Sequence, residues 1–408
     1  MKTMQKNETA NQITPRASRS AANGGWQVMT GLVVLAALLA WPANLHAGDK
    51  DKGGKRSVDT MTVNLYVGGN IGRVIALDPT DPAYLAHLVA AVTGVFYEIV
   101  ASQPSTRLGG VADRIAARLP DLVAVQEASL LRNQSPGDLV VGGTTAATNV
   151  VYDYLAILVD ALAARGAHYA VASSTEEVDV EMPMMNMLTG VFEDVRLTDR
   201  DAILVRTDVP PGHLRVSHPQ GGHFANAIQI PAIGLSVWRG WCSVDVSVRG
   251  EDFRFICTHL EEETAPQLQM AQALELLAGP AHSHLPVILA GDFNADPLHR
   301  NGTQTYDAFV AAGFKDAWAA THRCQPEGGL TWGHDEFLAD PEAPFVWRLD
   351  LVLFRGGDFE ARSASVLDLD LGRTEPPLWA TDHAAVSASF EIEKSRCAKD
   401  EKESKDKH

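Results

Sequence analysis

Six apolar stretches of this 408-residue chain run into polar residues that can hold a metal ion or move a proton. The stretches are far apart in the sequence, and such residues are an odd choice for strands whose only task is structural. A single polar strand end says nothing about function, but six together indicate side chains that converge on a single site. The polar positions are Asn64, Gln126 with Glu127, His259, Asp292 with Asn294, Asp350, and Asp382 with His383.

The pair Asp292 and Asn294 follows the apolar run that ends at Gly291. Residues two apart on extended backbone point to the same side, so this carboxylate and this amide can together hold and activate a water molecule. A simple Asx turn after a strand is the structural alternative. Glu127 has a stronger claim, because a carboxylate at the end of a buried strand must be paired, hydrogen-bonded or bound to a metal.

The dipeptide Asp382-His383 places a carboxylate beside an imidazole. This combination suits metal ligation together with phosphate contact or proton transfer, although an isolated pair of this kind is more often surface decoration. Attack on a phosphate ester needs neutralised oxygens, an aligned water molecule and a proton donor for the leaving group. The six positions supply each of these.

The elements that position these residues can be predicted from hydrophobic spacing. Short apolar runs predict strands at residues 61–67, 121–127, 202–206, 233–248, 253–259, 286–291, 348–354 and 384–392. Helical spacing predicts helices at residues 82–100, 108–119, 150–164, 267–277 and 306–312, and residues 170–230 are predicted to form strands and loops.

In this order, the motifs resemble those of the endonuclease/exonuclease/phosphatase superfamily, which includes deoxyribonuclease-like enzymes, abasic-site endonucleases, inositol-polyphosphate 5-phosphatases and bacterial sphingomyelinases. The resemblance covers residues 61–391. It rests on Asn64, Val125-Gln-Glu127, Arg239-Gly-Trp241, Thr258-His259, Gly291-Asp-Phe-Asn294, Arg348-Leu-Asp350 and Thr381-Asp-His383. It implies an α/β (α+β) fold, a deoxyribonuclease-I-like four-layer sandwich of two mostly antiparallel β-sheets flanked by helices.

The resemblance also implies a role for each matching position. Asn64, Glu127 and Asp382 are the implied metal ligands, while Asp292 and Asn294 orient the attacking water. The other implied roles are stabilisation of phosphoryl oxygens or leaving-group protonation by His259, tautomer control of His383 by Asp350, and a weaker substrate contact by Arg239. Oxygen ligands with few imidazoles suit Mg²⁺, with Mn²⁺ or Ca²⁺ as alternatives.

Two departures from the family pattern bear on substrate. The residues after Asn64 read Leu-Tyr-Val-Gly-Gly-Asn70, without the acidic residue two places on that abasic-site endonucleases carry, so that subfamily is disfavoured. Residues 71–107 and 128–198 are longer than in a minimal member of the family. Such insertions are where substrate selection usually resides.

The N-terminal residues 1–47 are predicted to be a secretory signal peptide. The apolar run Trp26 to Trp41 follows Arg16 and Arg19 and precedes the small residue Ala47. The run is shorter than the roughly 20 residues of a stable membrane span, which favours export into the periplasm or medium. An N-terminal membrane anchor is the alternative. Residues 48–60 are predicted to be a linker, 61–392 the catalytic domain and 393–408 a charged, disordered tail.

The net charge of −17 weakens the phosphate attraction on which non-specific nucleic-acid binding depends. The favoured partner is therefore a small or lipid-linked phosphoester. The methionine-bearing segment at residues 182–187 is consistent with a membrane lipid as a further partner. A secreted nuclease is the alternative enzyme. A non-catalytic binding protein on the same scaffold is the alternative from another class, and no protein partner is implied.

Four cysteines are spread over the chain without the spacing of a zinc site. Cys242 and Cys257 lie on two apolar runs joined by a turn, so they could face each other across a hairpin. A disulfide and two buried thiols are both consistent with this spacing.

Overall fold

The computed structural model describes residues 56–210, 212–230, 235–342, 344–357 and 359–392. The predicted signal peptide and the predicted C-terminal tail lie outside the described residues. The strands are β1 (Arg56–Asn64), β2 (Leu122–Gln126), β3 (Leu130–Gln134), β4 (Asn149–Asp153), β5 (Tyr169–Met185), β6 (Phe192–Arg206), β7 (Leu214–His223), β8 (Ile228–Ile230), β9 (Leu235–Val237), β10 (Gly240–Val248), β11 (Glu251–His259), β12 (Val287–Asp292), β13 (Lys315–Asp316), β14 (Asp350–Arg355), β15 (Phe359–Leu367) and β16 (Ala385–Ile392).

The helices lie in three regions of the chain, before β2, between β4 and β5, and after β11. They are α1 (Gly72–Ile75), α2 (Tyr84–Ala101), α3 (Pro104–Arg118), α4 (Tyr154–Ala164), α5 (Pro266–Ala278), α6 (Thr305–Ala311) and α7 (Ala317–Thr321), with a 3-10 turn at Leu139–Val141.

Two sheets carry the fold. The first has the order β15-β16-β1-β2-β6-β3-β4 with β5 paired to β6, and the second has the order β13-β14-β12-β11-β10-β7. The pairs β1/β2 and β11/β12 are parallel, while the other pairs within these sheets are antiparallel. The expected arrangement of two mostly antiparallel sheets is confirmed.

The strands are apolar on both faces because both faces are covered. On β2, Leu122 and Ala124 pack into the layer between the two sheets, whereas Val123 and Val125 pack against α3 and α4 on the outer face. Helices α5 and α6 cover the outer face of the second sheet in the same way. The result is a four-layer sandwich, which explains the near-continuous apolar runs in the sequence.

The strand directions bring the predicted polar ends to one edge. In the parallel pairs, Asn64 lies opposite Gln126 and His259 lies opposite Asp292. Strand β14 runs antiparallel to β12, so that its first residue, Asp350, also lies opposite Asp292. Residues at the ends of some strands and at the beginnings of others therefore meet at the same edge.

The boundary of the predicted linker is wrong at its C-terminal end. Strand β1 begins at Arg56, pairs with β16 from there, and ends at Asn64, three residues before the predicted end at Val67. Val58 and Thr60 are fully buried. The alternating burial of these residues outweighs the charged composition of the flanking segment, which had suggested a linker.

The predicted helix at residues 150–164 is also shorter than expected. Its first turn is instead strand β4, which pairs with β3, and Asp153 caps the helix that follows by accepting a hydrogen bond from the backbone of Ala156. Val150 and Val151 favour the extended conformation because β-branched side chains fit a pleated surface.

Cys242 and Cys257 occupy directly opposite positions on β10 and β11, so they face each other across a hairpin as expected. Both are buried and both are free thiols. They belong to the apolar layer between the sheets, so their role in this structure is packing.

Candidate active site

The structure gathers the predicted site residues at one edge of the sandwich. Glu127 and Asp382 are half-buried. The remaining six are each 7% exposed or less, and they are Asn64, His259, Asp292, Asn294, Asp350 and His383. Buried polar groups of this density need mutual hydrogen bonds or a bound ion.

Asn64 lies at the centre of the acidic groups. Its Nδ2 donates to Glu127 Oε1 at 2.9 Å and to Asp292 Oδ2 at 3.1 Å, while its Oδ1 accepts from the backbone of Tyr66 at 2.9 Å. The amide nitrogen thus faces the carboxylates. Metal ligation by Asn64 requires the amide oxygen, so the side chain must turn over when a cation binds, and its ligand role stays a prediction.

His383 is held by a carboxylate on its inner nitrogen. Its Nδ1 lies 2.8 Å from Asp350 Oδ2, and its Nε2 lies 3.7 Å from Asp292 Oδ2 and 4.0 Å from Asp382 Oδ1. Burial alone would lower the pKa of His383, but these three carboxylates outweigh it and raise that pKa well above the usual value. The imidazole is therefore a cation with its Nε2–H directed to the open site.

His259 is held in the opposite charge state. Its Nδ1 lies 3.1 Å from Arg239 Nη1, and its Nε2 lies 3.3 Å from Asn294 Nδ2 and 3.6 Å from Asp292 Oδ2. Burial and the positive charges of Arg239 and His383 lower the pKa of His259 well below its usual value. A guanidinium can only donate, so Nδ1 accepts and the proton of the neutral ring is on Nε2. This N–H faces Asp292 Oδ2 and not the Asn294 amide nitrogen, which donates to the backbone oxygen of Leu260 at 3.0 Å.

Glycine at 291 is required by a close approach between strands β11 and β12. A Cβ added there would lie 1.9 Å from the backbone oxygen of Thr258. After the strand, the backbone of Asn294 donates to Asp292 Oδ1 at 2.9 Å, and Asn294 has a φ of 48°. The Asx turn is therefore present, and it is what directs the Asn294 amide towards His259.

The acidic groups fit a divalent cation. Burial raises the pKa of Asp292, and burial also raises the pKa of Asp382 to about 6. Carboxylate oxygens of Asp292 and Asp350 lie within 4.8 Å of each other, and Asp350 Oδ1 has no hydrogen-bond partner among the described residues. A hard divalent cation is bound by oxygen donors. Its charge would stabilise the ionised forms of these carboxylates.

Arg239 lies beside His259 and between two acids. Its side chain is 13% exposed, with Nη1 3.6 Å from Glu177 Oε2 and Nε 3.8 Å from Glu261 Oε1. In this structure it places a positive charge next to His259, and its predicted substrate contact stays a prediction. A single sequence cannot distinguish these two roles, because the acids that surround Arg239 come from distant strands.

Sequence reasoning missed Arg107, which is fully buried in α3. Its guanidinium donates to the backbone oxygens of Leu65 and Tyr66, and to that of Ala380. These oxygens belong to the segments next to Asn64 and Asp382. Arg107 thus joins the two segments that carry predicted metal ligands, and its position in an apolar helix face was the one available signal.

Glu177, Asp199 and Asp201 were also missed. Glu177 occupies an inward position of an alternating strand, after Ser173 and Thr175, and it is 1% exposed. An acid at an inward strand position is the signal that could have identified it. Burial raises the pKa of Glu177 to about 8 and that of Asp199 to about 7.

Two packed sheets with acids, two amides and two histidines at one edge are the arrangement expected of a metal-dependent phosphoester hydrolase. The model of the endonuclease/exonuclease/phosphatase family matches residues 61–383, and the chain belongs to this family. Its members are metal-dependent phosphoesterases, so the predicted class of enzyme is confirmed. A search of curated proteins gives no match.

Solved structures are similar to this chain at low sequence identity. An endonuclease/exonuclease/phosphatase family protein from Bacteroides thetaiotaomicron has a TM-score of 0.51 and 16% identity, with 84% of this chain and 100% of that chain covered. The protein of the same family from Leptotrichia buccalis has a TM-score of 0.49 and 14% identity, with 82% and 100% covered. A mannosyl-6-phosphatase of B. thetaiotaomicron has a TM-score of 0.49 and 17% identity, with 82% and 99% covered.

Proposed function

We propose that this chain is an exported, divalent-metal-dependent hydrolase of a phosphate mono- or diester with a small or lipid-linked substrate. The observation that carries the proposal is the meeting of Asp292, Asp350 and His383, whose donor atoms lie within 4.8 Å of one another. Asn64 joins Glu127 to this group, because its Nδ2 donates to Glu127 Oε1 at 2.9 Å and to Asp292 Oδ2 at 3.1 Å.

Glu127, Asp382 and the oxygen of Asn64 would hold the metal ion, as their positions around Asp292 support. When bound, a divalent cation polarises the phosphoryl group and neutralises its oxygens. Mg²⁺ is the proposed ion because the donors are mainly oxygen atoms, with Mn²⁺ or Ca²⁺ as alternatives.

The side chains of this protein supply the remaining tasks. The carboxylate of Asp292 and the amide of Asn294 hold the attacking water and orient it towards phosphorus. The cationic His383 donates its Nε2–H to a phosphoryl oxygen, and Asp350, which accepts the Nδ1–H, holds the ring in the orientation that makes this donation available. Neutral His259 carries its proton on Nε2 and offers it to the leaving group or to a phosphoryl oxygen.

A lipid-linked substrate is supported by the apolar tip of the β5–β6 hairpin. At this tip, Met187 is 68% exposed, Leu188 is 91% exposed and Phe192 is 40% exposed. The tip contacts α2, where Tyr97 accepts a hydrogen bond from the Met187 backbone. Among the described residues, α2 is also the one helix long and apolar enough to cross a membrane, which by itself is weak evidence.

A secreted nuclease is the second candidate. The net charge of −17 counts against it, because the protein as a whole repels a polyanion. Export is supported by the basic and then apolar order of residues 1–47, which end in the small residue Ala47 at the predicted cleavage position.

The test is a substrate panel with the full chain. Bis-p-nitrophenyl phosphate, p-nitrophenyl phosphate, sphingomyelin vesicles and plasmid DNA are incubated with the enzyme in Mg²⁺, in Mn²⁺ and in EDTA. The proposal expects metal-dependent turnover of a p-nitrophenyl ester or of the lipid at a higher rate than that of DNA. Preferential cleavage of plasmid DNA would replace it with the nuclease, and turnover that survives EDTA would exclude the metal-dependent reaction.

A further inference from the structure

A second group of acids lies on the Nδ1 side of the His259 ring. Strands β5 and β6 contribute Glu177 and Asp201, and Glu261 follows β11. Glu177 is 1% exposed, Asp201 is fully buried and Glu261 is 3% exposed. None of these acids takes part in the proposed hydrolysis, so their burial needs an explanation of its own.

The oxygens of this group are short of partners. Apart from the contact between the Glu177 and Asp201 carboxyls themselves, both oxygens of Asp201 and Oε2 of Glu177 have no hydrogen-bond partner among the described residues, while Oε1 of Glu177 accepts from the Gly240 backbone at 2.9 Å. An ionised carboxylate in a protein interior is strongly disfavoured unless it is paired. Asp201 is thus a fully buried side chain whose oxygens have no partner other than the neighbouring acid Glu177.

Arg239 does not satisfy these oxygens. Its Nη1 lies 3.6 Å from Glu177 Oε2 and its Nε lies 3.8 Å from Glu261 Oε1, and both distances exceed those of normal hydrogen bonds. Its Nε also has no hydrogen-bond partner among the described residues. One guanidinium at these distances leaves the acids short of positive charge.

The geometry points to a bound ion. Glu177, Asp201 and His259 each offer one donor atom, and the three atoms lie within 4.8 Å of one another. Ligands at about 2.1–2.4 Å from one cation are separated by no more than about 4.8 Å. We propose that these three side chains bind a second divalent cation, separate from the metal of the proposed catalytic centre.

The donor set defines the class of ion. Two carboxylates with one imidazole suit Mn²⁺ better than Mg²⁺, because an imidazole is a poor ligand for the harder ion. Neither carboxylate is stable in this interior as an unpaired anion, and a cation bound by both would satisfy them.

The guanidinium of Arg239 competes with the proposed cation for Nδ1 of His259, because its Nη1 lies 3.1 Å from that nitrogen. When the cation binds to Nδ1, the guanidinium shifts towards Glu261, the acid that most strongly raises the pKa of Arg239. The proton of His259 stays on Nε2 in both states. The second site therefore leaves the donor that faces Asp292 unchanged.

Binding of Mn²⁺ to the full chain is measured from the electron paramagnetic resonance signal of the free ion. The Asp201→Asn and Glu177→Gln variants are each expected to bind one equivalent less than wild type. Glu176→Gln removes an exposed carboxylate one residue away on the same strand, and this control is expected to bind as many ions as wild type. Arg239→Gln is expected to bind the second ion about tenfold more tightly, because a competing charge is removed.

An unchanged number of ions in both Asp201→Asn and Glu177→Gln would overturn the proposal and leave the acids neutralised by protons. Should these variants fail to fold, anomalous diffraction from wild-type crystals grown with Mn²⁺ decides the question. A peak between Glu177 and Asp201 supports the site, whereas a peak confined to the Asp292 centre refutes it. Neither measurement depends on turnover, so failure of the proposed hydrolysis would be seen separately.

Discussion

Asp350 and His383 are joined by a contact of 2.8 Å between Oδ2 and Nδ1, although β14 and β16 belong to different sheets. The contact closes the edge of the sandwich and makes the His383 imidazole a cation. It also links the orientation of a proton donor to a carboxylate that lies opposite Asp292 in the next strand.

The first prediction concerns this contact. Asp350→Asn keeps the shape of the side chain but removes the charge that stabilises the His383 cation, so kcat should fall by about 100-fold or more while KM changes far less. Steady-state kinetics on the substrate identified by the panel check this. Asp307→Asn, which alters an exposed acid on α6, is the control and should keep wild-type kinetics. Equal kcat values for the two variants would contradict the assigned role.

Arg107 should contribute strongly to stability. Arg107→Met leaves the buried oxygens of Leu65, Tyr66 and Ala380 without a donor, and we expect the free energy of unfolding to fall by about 3 kcal/mol or more. Urea denaturation followed by circular dichroism measures the loss. The matched control is Arg114→Met, on the exposed face of the same helix, with an expected change within about 1 kcal/mol. Similar losses in both variants would show that Arg107 has no special role.

The close approach of β11 and β12 predicts that a glycine-to-alanine substitution destabilises the protein at Gly291, whereas the same substitution at Gly94 in α2 should stabilise it. Gly291→Ala would place a Cβ 1.9 Å from the Thr258 backbone oxygen, so the strands must separate and the unfolding free energy should fall by about 3 kcal/mol. Gly94→Ala in α2 meets nothing within 4 Å and should stabilise the helix by up to about 1 kcal/mol. Thermal denaturation of both variants tests this, and a stable, fully active Gly291→Ala would disprove the close approach.

His334 predicts a pH-dependent contribution to stability. Burial lowers the pKa of His334, but its contacts with Asp368 and Asp340 outweigh burial and raise that pKa above the usual value. The folded protein thus binds the proton more tightly than the unfolded chain, so the contribution is fully present below the unfolded pKa of about 6.5 and is lost as pH rises through the folded value.

The comparison uses wild type and His334→Gln, because glutamine does not titrate. The difference in unfolding free energy between the two proteins should be larger at pH 5.5 than at pH 9. Urea denaturation at both pH values measures it. A difference that stays constant, or one that grows towards pH 9, would show that the histidine is not held as a cation by these acids.

The sequence carried most of the information about the catalytic edge. The runs that end at Asn64, His259 and Asp292 are local, and their apolar composition predicts buried strands without any knowledge of the partner strand. The parallel pairing of β1 with β2 and of β11 with β12 then brings the ends together. Local pattern and strand direction are sufficient for this part of the site.

The group around Arg239 could not be predicted in the same way. Glu177 and His259 belong to different sheets, and their proximity depends on how those sheets pack. An arginine next to a strand looks the same in sequence whether it faces substrate or a buried acid. The start of β1 and the whole of β4 were missed for a related reason, since both are fixed by pairing with the distant strands β16 and β3.

The central claim is tested most directly by hydrolysis of bis-p-nitrophenyl phosphate by wild type, Asp292→Asn and His383→Ala, each in Mg²⁺ and in EDTA. The account predicts metal-dependent turnover by wild type and a loss of about 100-fold or more in both variants, with unchanged circular dichroism spectra. Near wild-type turnover by either variant in Mg²⁺ would contradict the assignment of this edge as the active site.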